Sequence, residues 1–260
     1  MNAPLPAPRT DIGGYPTVTL GGLPLSVIDR AEEARLLIRL AATRRGKPYV
    51  LTSANGEVIA RAAADPVIAA LFMRADQIVA DGQPLVTASR YLCSRTLPER
   101  VATTDLFHDV ARLAEQTGTT FYLLGAAPAE NAAALAAIRR TYPRLDIVGA
   151  SHGYLTGEAL ETKLAEIDAL APDILWLGLG VPREQFFFRD HGHKLRHVGL
   201  VKTSGGLFDH IAGKVRRAPL PLQRLGFEWL WRLLMEPRRL FWRYLTTNPR
   251  AVYAILRNSR

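Results

Sequence analysis

Asp81 is the residue in this sequence best placed to do chemistry. It ends the apolar run Ile78-Val79-Ala80 and is followed by Gly82-Gln83-Pro84-Leu85-Val86, so a buried strand stops at an Asp-Gly pair and a helix pattern resumes two residues later. This spacing sets a carboxylate on a turn at the carboxyl end of a strand. Ligands bind along that edge of an open α/β sheet, and a carboxylate there can take a proton from a substrate hydroxyl. The same residues also suit a plain helix start, since Asp is a favoured N-cap and Asp-Gly a common turn. On this stretch alone both roles stay open.

Other predicted strands end in small or polar residues as well: Ser53-Ala54-Asn55, Gly125-Ala126-Ala127, Gly178-Leu179-Gly180 and Thr203-Ser204-Gly205-Gly206. Glycine lets a ligand approach the backbone, and free N–H groups at a helix start suit phosphate oxygens. Such loops, gathered on one edge, make a nucleotide-binding crevice, although ordinary turn chemistry accounts for the glycines equally well. Neither GxGxxG nor GxxxxGK[ST] occurs, which argues against dinucleotide-dependent and P-loop enzymes. Pro182-Arg183-Glu184-Gln185 opens a helix facing the crevice, with Glu184 and Gln185 also reading as ordinary first-turn residues. His152, His191, His193, His197 and His210 have no metal-ligand spacing such as HExxH, and no Asp-x-Asp is present, so neither a catalytic metal nor a cofactor is expected. Cys93 is the only cysteine; it excludes an intramolecular disulfide and fits a reducing compartment.

The elements that must position these residues alternate strand and helix. A hairpin is predicted over Thr17–Val27 around Gly21-Gly22, then a helix over Asp29–Arg44, a strand over Pro48–Ser53, and helices over Glu57–Ala64 and Pro66–Arg74, the second capped by Asp65. After the Asp81 strand come a helix over Pro84–Leu92 and one capped by Thr103 or Thr104 that runs to Gln116. Strands at Phe121–Gly125, Asp146–Ala150, Ile174–Gly180 and His197–Lys202 follow, the first three separated by helices at Pro128–Thr141 and Thr156–Leu170. Strands interleaved with helices of 10 to 15 residues predict an α/β fold, Rossmann-like, with a mostly parallel sheet flanked by helices.

Charge divides the chain. Lys214 to Arg260 contains eleven Lys or Arg against Glu228 and Glu236, so the entire formal surplus of +9 lies there, together with Trp229, Trp231 and Trp242. We therefore place an α/β core at 1–213, with 1–15 disordered, and a basic, tryptophan-rich helical appendage at 214–260. Within the appendage the sequence predicts a helix over Gln223–Met235 and two short helices separated by Asn248-Pro249. Basic residues interleaved with tryptophan fit an anionic membrane surface or nucleic acid. The amphipathic pattern favours the membrane, while packing of the tryptophans on the core is the plain alternative. Met1–Thr10 has no apolar core, and no stretch reaches the ~18 uncharged residues of a bilayer span. A soluble or peripheral protein is expected, with homo-oligomerisation left open by the apolar tail.

Taken in order, these motifs resemble the bacterial WecG/TagA/CpsF glycosyltransferases. Asp81-Gly82-Gln83-Pro84 and Arg100-Val101-Ala102-Thr103-Thr104-Asp105-Leu106 look like the family's DGxx and RVxGxDL elements, and Gly180-Val181-Pro182-Arg183-Glu184-Gln185 looks like its GxPKQE turn. Lys202 to Pro219 and Glu228 to Leu240 are similar to its carboxyl-terminal signature. The resemblance implies an inverting, metal-independent transfer of a sugar from a UDP-sugar to a polyprenyl-diphosphate-linked saccharide in surface-glycan synthesis, on the cytoplasmic face of the cell membrane and without nucleic acid. It implies Asp81 as general base and Ser53 as a hydroxyl beside it. Asn55, Gly82, Arg183, Gln185, Gly205 and Gly206 then fall among the substrate contacts, and Tyr154 and Asp209 hold the uridine. Arg232 and Arg239 reach the diphosphate when the tail folds over the site. Two departures stand out: Arg183-Glu184-Gln185 reverses the usual Gln-Glu order, and Thr103-Thr104 replaces the small residues expected before Asp105. The transferred sugar is not legible. A non-catalytic α/β module with a lipid- or nucleic-acid-binding tail is the competing reading.

Overall fold

The structure is a computed structural model that describes residues 11–43, 46–215, 217–219, 221–222 and 226–260, apart from the side chain of Arg239. Along the chain the elements are β1 (Thr17–Leu20), β2 (Leu23–Ser26), α1 (Arg30–Ala41), β3 (Tyr49–Ala54), α2 (Gly56–Ala64), α3 (Pro66–Phe72), β4 (Gln77–Ala80), α4 (Gln83–Leu92) and α5 (Thr103–Thr117). There follow β5 (Phe121–Gly125), α6 (Pro128–Thr141), β6 (Ile147–Ser151), α7 (Gly157–Leu170), β7 (Ile174–Gly178), α8 (Arg183–His191), a 3-10 turn, β8 (Leu200–Thr203), α9 (Leu207–Ile211), α10 (Glu228–Met235) and α11 (Pro237–Arg257).

The β-branched and aromatic runs pair as a six-stranded parallel sheet in the order β4-β3-β8-β7-β5-β6, with β1 and β2 a separate antiparallel hairpin. Because side chains alternate along a strand, Leu51, Phe121, Leu123, Trp176 and Leu200 face α1, α5 and α6. Tyr122, Leu124, Leu175, Leu177 and Val201 face α7 and α8 on the other side. This two-faced burial is the α/β fold the alternating pattern predicts. Polar side chains set several helix starts: Asp65 caps α3 as expected, and Asp29 caps α1 and Asn55 caps α2, each accepting a backbone N–H.

Four features differ from expectation. Within the start expected to be disordered, residues 11–15 form a turn in which Asp11 accepts the N–H groups of Gly13 and Tyr15 and the Nε2 of Gln77; residues 1–10 lie outside the described residues. Thr103 does not cap α5. Ala102 holds the cap position, and the Thr103 side chain is engaged elsewhere. Gln223 to Leu225, the expected start of a tail helix, lie outside the described residues, and α10 begins at Glu228. Finally, α11 continues through Pro249 instead of breaking there. An interior proline costs about 3 kcal/mol, and burial of Leu240, Ala251, Ala254 and Ile255 on the same helix offsets it.

The end of the tail belongs to a core and does not stand apart from it. Ala254 and Ile255 join the hydrophobic cluster built by the hairpin, α2, α3, α4 and β4. Arg260 and Thr19 exchange backbone hydrogen bonds of 2.9 and 3.2 Å, and Gly22 N–H donates to the Asn258 carbonyl at 2.9 Å. The division at 213 therefore separates charge but not packing.

Candidate active site

The carboxyl ends of β3, β4 and β8, the start of α5 and the two tail helices enclose a cavity of about 500 Å³. Ser53, Asn55, Asp81, Gly82, Gly205, Gly206 and Arg232 line it, as do Arg100, Thr103, Arg217, Arg243, Trp229 and Tyr244. The position is the ligand-binding edge of an open α/β sheet.

Asp81 is held by the sheet and turned towards α5. Its N–H donates to the Ala54 carbonyl at 2.8 Å, continuing the β3–β4 pairing by one residue. Gly82, not Asp81, takes the cap position of α4 and makes no side-chain capping bond. The carboxylate instead accepts two bonds at Oδ2, from Thr103 Oγ1 at 3.0 Å and Thr103 N at 3.3 Å. Burial pushes its carboxyl above the usual range, against the pull of Arg100, Thr103 and Lys202.

Lys202 stands in the sequence only as part of a motif, yet it is fully buried beneath the cavity. In register with Leu51 and Trp176, it shares a sheet face with Ser53, and its Nζ donates to Ser53 Oγ at 2.8 Å. Burial lowers its affinity for a proton, and Glu33, Asp81 and Glu184 oppose that loss. Glu33, on α1, is also fully buried, and desolvation pushes its carboxyl up to about 7. Lone charged residues inside a strand or helix read from sequence as surface positions, which is why both were missed.

Glu184 is more than a first-turn residue. Its Oε1 accepts the N–H groups of Leu179, Gly180, Ser204 and Gly205, at 2.7 to 3.3 Å, so one buried carboxylate ties the loop after β7 to the loop after β8. Desolvation pushes it up to about 7 despite these donors. Gly205 meets Glu184 with φ +55°, a conformation glycine adopts without strain.

Guanidinium groups gather at the cavity. Arg100 Nη1 lies 2.5 Å from Glu228 Oε2, and Arg243 Nη1 lies 3.3 Å from Glu57 Oε2; these pairs join the tail helices to the core. Asp105 pairs with Arg217 and lies 3.6 Å from Arg30 and 3.9 Å from Arg100. Although burial opposes it, these cations, Arg217 foremost, hold the Asp105 carboxyl below its usual range. The Nε of Arg232 and of Arg243 is buried without a hydrogen-bond acceptor. Among the described residues no three His, Cys, Asp or Glu side chains cluster as metal ligands.

Other expected residues lie outside this cavity. Gln185 donates through Nε2 to Thr52 Oγ1 at 3.3 Å. Thr52 and Thr203 alternate with Ser53 and Lys202 along their strands, and so face α8 on the other side of the sheet. Gln185 accordingly lines a second cavity of about 280 Å³ there, not the cavity of Asp81. Arg183 is exposed and lines neither. Tyr154 is 65% exposed, and it and Asp209 come together around Lys214, beside the loop where Gly153 N–H donates to the Ala126 carbonyl. The side chain of Arg239 lies outside the described residues.

Comparison with known proteins agrees with this architecture. A protein of Bacillus spizizenii (strain ATCC 23059 / NRRL B-14472 / W23), named N-acetylglucosaminyldiphosphoundecaprenol N-acetyl-beta-D-mannosaminyltransferase, is 32% identical over 219 residues, covering 83% of this chain and 82% of that protein. The family described as glycosyl transferase WecG/TagA/CpsF matches residues 18–260, which spans the sheet, the Asp81 cavity and both tail helices. The chain belongs to the WecG/TagA/CpsF family of glycosyltransferases.

Proposed function

We propose that this glycosyltransferase moves a sugar from a UDP-sugar to a polyprenyl-diphosphate-linked saccharide with inversion at the anomeric carbon. The observation that carries the reading is the pairing, in one cavity, of a partly buried carboxylate with several guanidinium groups. Asp81 takes the proton of the acceptor hydroxyl as its oxygen attacks the anomeric carbon. The glycosidic bond to UDP breaks on the opposite face, and a single displacement inverts the configuration. The departing diphosphate gains negative charge, and Arg232, with Arg217 and Arg243 around it, supplies charge-assisted donors to it. Tyr154 and Asp209, both near Lys214, offer a stacking ring and a hydrogen-bond acceptor to the uridine. The Bacillus relative's name describes an N-acetylglucosamine-bearing diphosphoundecaprenol acceptor and transfer of N-acetylmannosamine, and we take that pair as the first substrates to test.

The tail helices support a place on the inner face of the membrane. One side of α11 packs on the core while Phe241, Trp242, Leu245, Val252, Tyr253 and Leu256 form an exposed apolar stripe on the other. Leu234 and Met235 of α10 are exposed as well. Among the described residues no helix is long and apolar enough to cross a membrane. An apolar stripe flanked by arginine suits a helix lying in the headgroup region, next to where a polyprenyl acceptor is anchored.

Transfer of labelled sugar from a panel of UDP-sugars to undecaprenyl-diphosphate-N-acetylglucosamine, with and without Asp81→Asn, tests the reaction. Transfer from one donor, reduced about 10²- to 10⁴-fold in the variant, supports it. Transfer that survives Asp81→Asn removes Asp81 as base. Absence of transfer from every donor, with vesicle binding intact, favours the non-catalytic module.

A further inference from the structure

Lys202 and Asp81 are the two ends of one hydrogen-bonded chain. Lys202 Nζ lies 2.8 Å from Ser53 Oγ, Ser53 Oγ lies 3.2 Å from Thr103 Oγ1, and Thr103 Oγ1 lies 3.0 Å from Asp81 Oδ2. An ammonium group only donates and a carboxylate only accepts, so each hydroxyl between them has one consistent direction: Lys202 donates to Ser53, Ser53 to Thr103, and Thr103 to Asp81. The Thr103 backbone N–H, at 3.3 Å, reaches the same Oδ2. Both bonds therefore fall on one oxygen of the carboxylate.

We propose that Lys202 is the positioning residue of the transfer reaction: through Ser53 and Thr103 it commits Oδ2 of Asp81 to the protein, leaves Oδ1 to receive the acceptor proton, and keeps the carboxylate ionised. The inference rests on the reading of Asp81 as base. A neutral group at position 202 has no such effect. It leaves Ser53 free to turn its hydroxyl away, Thr103 then follows, and Oδ2 loses the shorter of its two hydrogen bonds. The position of Lys202 suits the task, since a fully buried ammonium group has no water with which to share its donors. Strand register alone sets it beside Ser53, and the departure noted at Thr103 supplies the second hydroxyl.

The charges facing this chain come from several elements. Asp81 faces Arg100 and Arg217 besides Lys202, and Lys202 faces Glu33 on α1 and Glu184 on α8. Arg100 and Arg217 also face Asp105 and Glu228, whose carboxylates temper their effect at Asp81. Lys202 differs from both arginines in reaching Asp81 through oriented hydroxyls.

The test compares the full-length protein with Lys202→Met, Thr103→Val and Thr103→Ser. The Asp81 carboxyl is titrated by carbon-13 NMR, assigned by its loss in Asp81→Asn, and the pH profile of kcat/KM is recorded in parallel. In Lys202→Met the Asp81 midpoint should rise, because the cation that favours the ionised carboxylate is gone. The acid limb of kcat/KM should move with it, and activity should recover towards wild type at high pH. Thr103→Val should give the same displacement with Lys202 still present, and Thr103→Ser should restore the wild-type profile. An Asp81 midpoint unmoved in Lys202→Met, or a loss of rate equal at every pH, overturns the proposal. If Lys202→Met does not fold, the Thr103 variants decide, because Thr103→Val exchanges one hydroxyl for a methyl group while Thr103→Ser keeps the hydroxyl. The NMR titration needs no sugar transfer, so failure of the wild type with all donors counts against the reaction and leaves the Lys202–Asp81 coupling to be judged by itself.

Discussion

Arg100, just before α5, meets Glu228, the first residue of α10, at 2.5 Å. Both side chains line the cavity of Asp81, so the contact that docks the tail also shapes the site. Glu228→Gln removes the charge with little change in shape. The pair is mostly buried, and a hydrogen bond between charged groups contributes about 1.5–3 kcal/mol, so the melting temperature should fall by several degrees. Tryptic cleavage within 226–257 should speed up and sugar transfer should drop about tenfold. Unchanged cleavage and transfer in the variant would show that other contacts hold the tail closed.

Glu184→Ala leaves four backbone donors of two loops without their common acceptor. An unpaired buried donor costs ~1–3 kcal/mol, so a loss of about 3 kcal/mol or more and ~10 °C in melting temperature is expected. Glu184→Gln keeps an oxygen there and should lose less. Differential scanning calorimetry on the two variants checks the order; equal losses would contradict the acceptor role.

Glu33 predicts a pH dependence of stability. Its folded carboxyl is raised from 4.5 to about 7, so the folded state binds more protons than the unfolded chain between those values. The contribution is full below about 4.5 and is lost as pH rises through about 7. In wild type the melting temperature should therefore decline by several degrees from pH 5 to pH 8 through this group. Glu33→Gln, which does not titrate, should show a flatter profile in thermal melts across the same range. Parallel profiles would mean that Glu33 ionises in the folded protein as it does in water.

Trp242→Ser and Leu256→Glu alter the exposed stripe of α11. Both side chains are more than two-thirds open to solvent, so melting temperatures should hold within about 2 °C, in line with the ±0.5 kcal/mol typical of surface changes. Co-sedimentation with vesicles containing anionic lipid should fall about tenfold for Leu256→Glu. A pelleted fraction equal to wild type would remove this face as the membrane contact.

Much of the architecture was legible because its signals are local. The alternation of strand and helix, the cap at Asp65, and the turn that delivers Asp81 each depend on residues within a few positions of one another. What escaped depends on register between distant strands. Parity along β3 and β8 puts Ser53 and Lys202 on one face and Thr52 and Thr203 on the other, and that single fact decides which cavity Gln185 lines. Glu184 binding four N–H groups could not be read without knowing that two loops meet there. Proline at 249 carried a correct local cost, and long-range packing of α11 outweighed it.

Pairing of Thr19 with Arg260 and seating of Ile255 beside the amino-terminal hairpin join segments more than 230 residues apart in sequence. Contacts of such separation close late, since the entropy of a long loop must be overcome before they yield anything. The hairpin, α2 and β4 keep one side uncovered until residues 251–260 close onto them. The cavity wall at Ala251 and Ile255 is thus among the last parts to form. A refolding experiment should therefore find cavity-dependent signals, such as fluorescence from Trp229, lagging behind formation of the sheet.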